Sequence, residues 1–525
     1  MPTLHWIGKE KVINHHLDIP YHTLNKEYTY DSGVQQTEGI SESKIIHADN
    51  LLALKSLLPE YEGRIKCIYI DPPYNTGNES WVYNDNVSDP RFKKWLGKVV
   101  GKEAEDLTRH DKWLCMMYPR LKLLHKLLSD DGVIFISIDD NEQASLKMMM
   151  DEIFGASNMI TSVIWQRTFA TKNDAKHFSS EHEYIFVFTK KTDLFRINLL
   201  QRAEKQNARY RNVENDPRGP WTSTDLLRME HRENSIYSII SPITGKEWIP
   251  QPGTSWRHPE NEMIELIKNN EVTFGKDGNS KPRRKRFLKD VKQGIIPQTI
   301  WKHEDVGHTQ DAKQTLKKIL DASIDFFATP KPVKLIEQIL KISTSKNSII
   351  LDSFAGSGTT AHSVLSLNKQ DGGNRKFILI EMEDYAESIT AERVKRVING
   401  YGETEGTGGS FSFYTLGERV LDDEQNLSPN LSVEKIHSYI WYSETHQPYT
   451  QQANAAGYLG KYSNTGYYFY YQPNQVTTLD DAYLMNVTEL CEQYVMYADV
   501  CLLSERTMLQ LNIIFKKIPR DISKL

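Results

Sequence analysis

The sequence predicts an α/β fold built on an open, mostly parallel β-sheet. Short apolar runs rich in β-branched residues, such as Ile65–Ile70 and Ser348–Leu351, have the length of buried strands. Each run is followed by a turn and then by apolar residues at helical spacing. This strand–turn–helix order occurs on both sides of an irregular middle region. Such alternation is typical of parallel sheets, whose ligands bind at the carboxyl ends of the strands.

The turn after Ile65–Ile70 is the most informative one. It reads Asp71-Pro72-Pro73-Tyr74, and its two prolines stop any strand or helix. The Asp71 carboxylate and the Pro72 carbonyl can accept two hydrogen bonds from an exocyclic amine while the Tyr74 ring stacks on a flat base. Enzymes hold a flipped nucleobase in this way. A proline turn with a capping aspartate is the alternative for these four residues alone.

Composition indicates a folded protein with room for roughly two to four domains in 525 residues. The formal charge of −5 excludes a uniformly basic coat for nucleic acid, although not a local basic patch. The four cysteines stand singly, which predicts reduced structural thiols and no metal site. Because the sequence has neither a signal-like amino terminus nor a long apolar run, we expect a cytoplasmic protein without membrane contact.

The first strand–turn–helix unit begins at Lys44 and reaches Asp49 before a series of leucines at helical spacing. Asp49 either caps that helix or contacts a cofactor from the carboxyl end of its strand.

The turn Asp71–Tyr74 carries the candidate catalytic residues and is called the catalytic turn below. A long polar segment, Asn75–Asp111, follows it. It carries aromatic residues and a basic pair, namely Trp81, Tyr83, Trp95 and Lys93-Lys94. Connections of this length are usually functional, so the segment predicts a flap over the active site or against DNA. A disordered insertion is the alternative.

Two apolar runs, Ile160–Trp165 and Tyr184–Phe188, predict a hairpin that closes the sheet. Phe178 lies in the polar stretch between them. Its ring either forms a second face for a base held against Tyr74 or packs in the core at the end of the hairpin.

The region from Phe195 to Glu304 loses the strand–helix rhythm and gains tryptophans and turn signals. It contains a basic run in which Lys281, Arg283, Arg284, Lys285 and Arg286 are candidate DNA-binding residues. A solvated charged loop is the alternative.

A glycine turn follows the strand Ser348–Leu351 and reads Asp352-Ser353-Phe354-Ala355-Gly356-Ser357-Gly358-Thr359-Thr360. Glycines at this position let the backbone approach a ligand closely. One strand later, Glu381 is placed to accept hydrogen bonds from ribose hydroxyls. The turn lacks the phosphate-binding endings, so a nucleoside cofactor without a pyrophosphate fits best.

Together these segments resemble a β-class DNA adenine-N6 methyltransferase, most closely the modification (Mod) subunit of a Type III restriction-modification system. The resemblance implies a circularly permuted Rossmann-like methyltransferase sheet, with an inserted target recognition domain and a small C-terminal domain. It also implies S-adenosyl-L-methionine as cofactor. The catalytic residues would be Asp71, Pro72, Pro73 and Tyr74, with Tyr74 and Phe178 stacking on the target base.

The resemblance also assigns the cofactor site. Asp352, Phe354, Gly356 and Gly358 would hold the methionine portion, with Lys331 near its carboxylate. Glu381 would take the ribose and Asp49 the adenine end, and Pro332 and Thr359 complete the set. Pro332 suits a first helical turn.

We expect an N-terminal extension (1–43), a catalytic half (44–194), a target recognition domain (195–304), a cofactor-binding half (305–400) and a C-terminal domain (401–525). Gly402–Gly409 reads as a flexible linker into that last domain. The expected partners are double-stranded DNA, a second copy of the chain and a restriction (Res) subunit, with the C-terminal domain serving dimerisation or docking. The alternatives are a solitary or Type II-like enzyme, a cytosine-N4 or RNA methyltransferase, and a DNA-binding specificity subunit.

Overall fold

The structure is a computed structural model that describes residues 4–76, 109–171, 175–202, 207–290, 294–320, 329–422, 424–450, 457–473 and 475–523. The chain forms two compact units, one of residues 1–198 with 298–525 and one of residues 199–297. The predicted flap lies outside the described residues except at its two ends, and so do its Trp81, Tyr83, Trp95 and Lys93-Lys94.

The first unit contains an eleven-stranded sheet among the described residues. Its strands in chain order are β1 (His22–Asp31), β2 (Val34–Gln36), β3 (Lys44–His47), β4 (Ile65–Ile70), β5 (Leu128–Ile138), β6 (Met159–Gln166), β7 (His182–Thr189), β8 (Ile300–Trp301), β9 (Ile349–Asp352), β10 (Lys376–Glu381) and β11 (Ser410–Arg419). Their order across the sheet is β8-β6-β7-β5-β4-β9-β10-β3-β11-β1-β2.

The neighbouring strands β5, β4, β9, β10, β3 and β11 run parallel to one another. The apolar runs of the sequence predicted this parallel arrangement. Strand β4 lies directly beside β9, with Cys67 opposite Ile350 and Ile68 opposite Leu351. The catalytic turn and the glycine turn, which are far apart in sequence, therefore leave adjacent strands at the same edge of one sheet.

Helices cover both faces of the parallel strands, and their bounds are Asn50–Tyr61, Arg109–Leu127, Gln143–Met150, Val333–Ser343, Thr359–Asp371 and Glu392–Asn399. Ile68 packs in a core cluster with residues of the first two of these helices. Its neighbour Cys67 faces the other way and contacts Ser343. Burial on both faces explains why the central residues of these strands are mostly apolar.

The predicted hairpin is confirmed, since β6 and β7 pair antiparallel and β7 pairs antiparallel with β5. Because β7 runs against the parallel strands, its first residues lie at the edge where β4 and β5 end. This reversal brings His182 and Glu183 to the side of the sheet that carries the catalytic turn.

The predicted linker at Gly402–Gly409 is wrong. The structure has a short hairpin of Gly400–Tyr401 and Thr404–Glu405, and the chain then enters β11 of the main sheet. A Cβ on Gly406 would lie 2.3 Å from the Ile398 carbonyl oxygen, so close backbone approach explains this glycine better than flexibility.

Near the start of the chain, β1 and β2 bring part of the expected N-terminal extension into the same eleven-stranded sheet.

Beyond β11, the helix Val433–Thr445 precedes a four-stranded sheet. The strands of that sheet are Tyr458–Tyr462, Thr465–Phe469, Gln493–Ala498 and Ile513–Lys517, in that spatial order. The prediction of strands in the tyrosine-rich stretch and of a final α/β piece near Met496–Phe515 is confirmed.

The second unit, Leu199–Pro297, lies within the region predicted as a target recognition domain. It is built from short antiparallel pairs, the largest being Trp221–Asp225, Arg283–Phe287 and Val272–Thr273, and from the helix Glu260–Lys268. Its small core centres on Trp256 and Met263. Its role in recognition stays a prediction.

Candidate active site

The catalytic turn begins at the carboxyl end of β4, where the strand hydrogen bonding stops at Ile70. Pro72 is buried, and Asp71, Pro73 and Tyr74 are partly exposed. The Trp113 indole Nε1 donates a hydrogen bond to the Pro73 carbonyl oxygen at 2.6 Å. This contact ties the turn to the helix Arg109–Leu127.

The Asp71 side chain lies at the centre of a cluster of polar side chains that also contains Tyr74, Lys331 and Glu183. This cluster is called the corner below. Lys331 Nζ donates to Asp71 Oδ1 at 2.7 Å and to Oδ2 at 2.6 Å. The Tyr74 hydroxyl also donates to Asp71 Oδ1 at 2.7 Å and lies 2.9 Å from Lys331 Nζ. Burial opposes the charge on Lys331, but Asp71 and then Glu183 outweigh it and raise the pKa of the ammonium. Lys331 and Asp71 form an ion pair in this corner.

The structure places the Lys331 ammonium on Asp71, and its expected contact with the cofactor carboxylate stays a prediction. The position of Lys331 in the chain explains the contact with Asp71. Lys331 precedes the helix Val333–Ser343, for which Pro332 is the buried N-cap, and Thr359 Oγ1 donates to the Lys331 carbonyl at 3.3 Å. The backbone of Lys331 thus touches the glycine turn while its side chain reaches the catalytic turn.

Glu183 is a member of the corner that the sequence did not reveal. Its buried side chain accepts a hydrogen bond from Arg167 Nη1 at 3.3 Å. Its Oε2 lies 3.1 Å from the Tyr74 hydroxyl oxygen and shares the single hydroxyl hydrogen with Asp71 Oδ1. Its Oε2 lies 3.5 Å from Lys331 Nζ. Burial, Asp71 and Glu183 together raise the pKa of Tyr74 well above its usual value, so this hydroxyl stays protonated.

The glycine turn joins β9 to the helix Thr359–Asp371. Asp352 is buried, accepts from the Phe354 backbone N–H at 3.0 Å and from Thr360 Oγ1 at 2.5 Å, and thereby closes the turn on itself. Gly356 and Gly358 have φ values of 53° and 79°, which favour glycine. Phe354 is partly buried against the main core.

Glu381 ends β10 and lies under the same turn. Its Oε2 accepts from the Gly356 N–H at 2.7 Å and its Oε1 from the Glu383 N–H at 3.0 Å. Burial raises the pKa of Glu381, and likewise that of Asp352, to about 7. Two desolvated carboxyl groups under one turn form a site that a cationic ligand stabilises.

A buried arginine, also missed from the sequence, supports the turn from behind. Arg393 Nη1 donates to Ser357 Oγ and to Thr359 Oγ1, each at 2.8 Å. Thr390 Oγ1 donates to the Gly356 carbonyl at 2.5 Å. These links come from a segment that follows Glu381, which is why the turn motif by itself did not reveal them.

Asp49 caps the helix Asn50–Tyr61 by accepting from the N–H groups of Leu51 at 2.9 Å and Leu52 at 3.3 Å. Its contact with a cofactor stays a prediction. The next residue, Asn50, donates to the Ser353 carbonyl of the glycine turn at 3.2 Å and accepts from Arg120 Nε at 2.5 Å. Asn50 thus links the two halves of the site.

Phe178 is 94% exposed, which excludes the core alternative and leaves base stacking as a prediction. In the second unit, four residues of the basic run are partly or fully exposed: Lys281, Arg283, Arg284 and Arg286. Lys285 is different, because it is buried, paired with Glu214 and bonded to Asn270 Oδ1 at 2.9 Å. A DNA contact by Lys285 therefore does not fit its placement.

Residues 65–392 match the family described as DNA methylase (N6_N4_Mtase). The matched segment contains both the catalytic turn and the glycine turn. The chain belongs to this DNA methylase family.

Three relatives illustrate the similarity. The chain is 38% identical over 355 residues to the StyLTI Mod subunit of Salmonella typhimurium, covering 65% of this chain and 53% of that protein. It is 31% identical over 435 residues to the EcoP15I Mod subunit of Escherichia coli, covering 73% and 64%. It is 32% identical over 369 residues to the Type II methyltransferase M.KpnI of Klebsiella pneumoniae, covering 65% and 81%. The chain thus spans about half the length of the first relative and less than two thirds of the second.

Among solved structures, a DNA modification methylase of Thermus thermophilus in complex with S-adenosyl-L-methionine aligns with a TM-score of 0.34 and 13% identity, covering 71% of this chain and 99% of that one. The PvuII cytosine-N4-specific DNA methyltransferase aligns with a TM-score of 0.35 and 12% identity, covering 67% and 87%. Within the described residues, no helix is long and apolar enough to cross a membrane, and no group of three metal-ligating side chains occurs.

Proposed function

We propose that this protein transfers a methyl group from S-adenosyl-L-methionine to the N6 amine of an adenine flipped out of double-stranded DNA. One observation carries the proposal. The turn Asp71–Tyr74 and the turn Asp352–Gly358 leave adjacent parallel strands, β4 and β9, at the same edge of the sheet. An amine held at the first turn therefore lies beside a cofactor held at the second.

The residues of the glycine turn fit this cofactor. S-adenosyl-L-methionine carries an amino group and a sulfonium, and the turn covers the buried carboxyls Asp352 and Glu381. The buried Ser353 Oγ has no hydrogen-bond partner within the described part of the chain, so a polar group at this turn remains to be satisfied. Asp352, Gly356, Gly358 and Glu381 would hold the cofactor, which supplies an electrophilic methyl group when bound.

Asp71 and Tyr74 position the target. The Asp71 carboxylate and the Pro72 carbonyl accept the two hydrogens of the amine, and the Tyr74 ring stacks on the base. These acceptors align the nitrogen and offset the positive charge that develops on it, so no strong base is required. The aspartate at position 71 favours adenine as the target base. Cytosine-N4 methyltransferases, which share this motif, more often have serine at the corresponding position.

We further propose that the chain is the modification subunit of a restriction-modification system. The names of two relatives, the StyLTI and EcoP15I Mod subunits, support this role. The unit Leu199–Pro297 would then read the DNA sequence, a homodimer would form, and a Res subunit would supply cleavage in the cytoplasm. A solitary or Type II-like methyltransferase is the second candidate, and the Type II name of the relative M.KpnI favours it.

The test is methyl transfer by the purified chain. Wild-type protein with radiolabelled cofactor should label DNA, long-read sequencing should map the modified sequence, and nucleoside analysis should show N6-methyladenine. Asp71→Ala should keep DNA binding and abolish transfer. Asp139→Ala is the matched control, because Asp139 follows β5 as Asp71 follows β4 but bonds to the Asn141 N–H at 2.9 Å in its own turn. Full activity of Asp71→Ala would refute its role, and N4-methylcytosine as product would replace adenine as the target.

A further inference from the structure

We propose that Glu183 is a positioning residue that receives the Lys331 ammonium when the target amine takes its place on Asp71. The inference rests on the proposed function. In the structure, Lys331 Nζ bonds to both Asp71 oxygens, at 2.7 and 2.6 Å. Lys331 Nζ thus occupies both oxygens of Asp71, which is one of the two acceptors that the amine needs beside the Pro72 carbonyl. The amine takes one of these oxygens when the ammonium leaves it.

Glu183 is the nearest alternative anion for that ammonium. Its Oε2 lies 3.5 Å from Lys331 Nζ, so a small side-chain movement exchanges one carboxylate for the other. The Tyr74 hydroxyl bonds to Asp71 Oδ1 at 2.7 Å and to Glu183 Oε2 at 3.1 Å, and it therefore spans the two positions.

The charges of the corner favour such an acceptor. Lys331 and Arg167 face Asp71 and Glu183, so two cations meet two carboxylates. The substrate amine is neutral and adds no charge of its own, so an ammonium that gives up an Asp71 oxygen loses part of its pairing. Glu183 keeps the ammonium paired, and uncompensated buried charge is costly. Arg167 Nη1, 3.3 Å from Glu183 Oε1, holds this carboxylate in place.

The test is Glu183→Gln, which keeps an oxygen for the Tyr74 hydroxyl and removes the charge. We expect kcat for methylation to fall about tenfold or more, while KM for DNA and cofactor affinity change less than about threefold, because phosphate contacts dominate DNA affinity. Glu183→Asp should recover part of kcat. In a Lys331→Met background, Glu183→Gln should cost little further, since no ammonium needs an acceptor. An unchanged kcat, or an equal loss in both backgrounds, would overturn the inference.

Glu152→Gln is the matched control, because Glu152 also joins a lysine and a tyrosine: Lys9 Nζ at 2.7 Å and the Tyr118 hydroxyl at 3.0 Å. Its kcat should match the wild type. Thermal unfolding without DNA or cofactor supplies a readout that does not need activity, and the effects of Lys331→Met and Glu183→Gln on it should be non-additive. If the wild type methylates no DNA, the proposed function fails and this cycle still tests the pair. If the wild type is active and the cycle is additive, only the inference fails.

Discussion

Gly358→Ala should weaken cofactor binding through the backbone. Gly358 is the N-cap of the helix Thr359–Asp371, with φ of 79°. A Cβ at this position would lie 3.1 Å from the Thr390 carbonyl oxygen and 3.3 Å from Thr390 Cγ2. The substitution therefore combines an unfavourable backbone conformation with a close contact directly behind the glycine turn.

The size of the effect follows from these two terms. The left-handed conformation costs a residue with a Cβ about 1–2 kcal/mol. Thr390 resists displacement because its Oγ1 donates to the Gly356 carbonyl at 2.5 Å, and losing that hydrogen bond costs about 1 kcal/mol more. The turn can relieve both terms only by leaving the geometry that holds the cofactor. The two terms add to about 2–3 kcal/mol on the bound state, which raises Kd about 30- to 150-fold.

Calorimetric titration with S-adenosyl-L-methionine measures this change, and Gly372→Ala is the control. Gly372 is the C-cap of the same helix, with φ of 67°, and a Cβ there meets nothing within 4 Å. Gly372→Ala should lower the unfolding free energy by about 1–2 kcal/mol and leave Kd unchanged. Wild-type affinity in Gly358→Ala, or equal weakening in both variants, would refute the reasoning.

Three further predictions concern charge. Burial raises the pKa of Asp352 and of Glu381 to about 7, so affinity for the cationic cofactor should rise with pH through about pH 7 in a calorimetric series. Without cofactor, the free energy of unfolding should fall as pH rises from about 4 to 7. In this range the folded state keeps the protons of Asp352 and Glu381, whereas the unfolded chain has released them. A thermal-unfolding series that is flat with pH would contradict this. Lys285→Met should destabilise the unit Leu199–Pro297 by about 3 kcal/mol in limited proteolysis, because Lys285 is buried against Glu214. Its exposed neighbour Arg286 should tolerate the same change within about 0.5 kcal/mol, and equal effects at the two positions would count against the buried pair.

The central strands and both functional turns were predictable because their signals are local. Strand β4 is apolar except at Lys66 since it is buried on both faces, and Asp71-Pro72-Pro73-Tyr74 ends it within four residues. The chain reversal that brings Glu183 into the corner is not local. Glu183 is 109 residues from Tyr74, and only the antiparallel entry of β7 places its first residues at that edge.

Glycine content misled the prediction at Gly402–Gly409, because composition does not distinguish a flexible linker from a tight hairpin. The distinguishing fact is the approach of Gly406 to the Ile398 carbonyl, a contact between chain segments that no residue count reveals. The contact between Lys331 and Asp71 was not predictable for a related reason. The backbone of Lys331 contacts the glycine turn, and its side chain is long enough to reach the neighbouring strand end, where Asp71 supplies an anion.

The two halves of the candidate site depend on each other through buried polar contacts as well as through the sheet. Arg120, buried in the helix Arg109–Leu127, donates to Asn50 Oδ1 at 2.5 Å and to the Met116 carbonyl at 2.7 Å. Asn50 in turn donates to the Ser353 carbonyl at 3.2 Å. The helix that holds the catalytic turn through Trp113 therefore also fixes the glycine turn, about 230 residues later. Since methyl transfer tolerates little misalignment between donor and acceptor, this shared anchor gives a physical reason why a site divided between distant segments can keep one geometry.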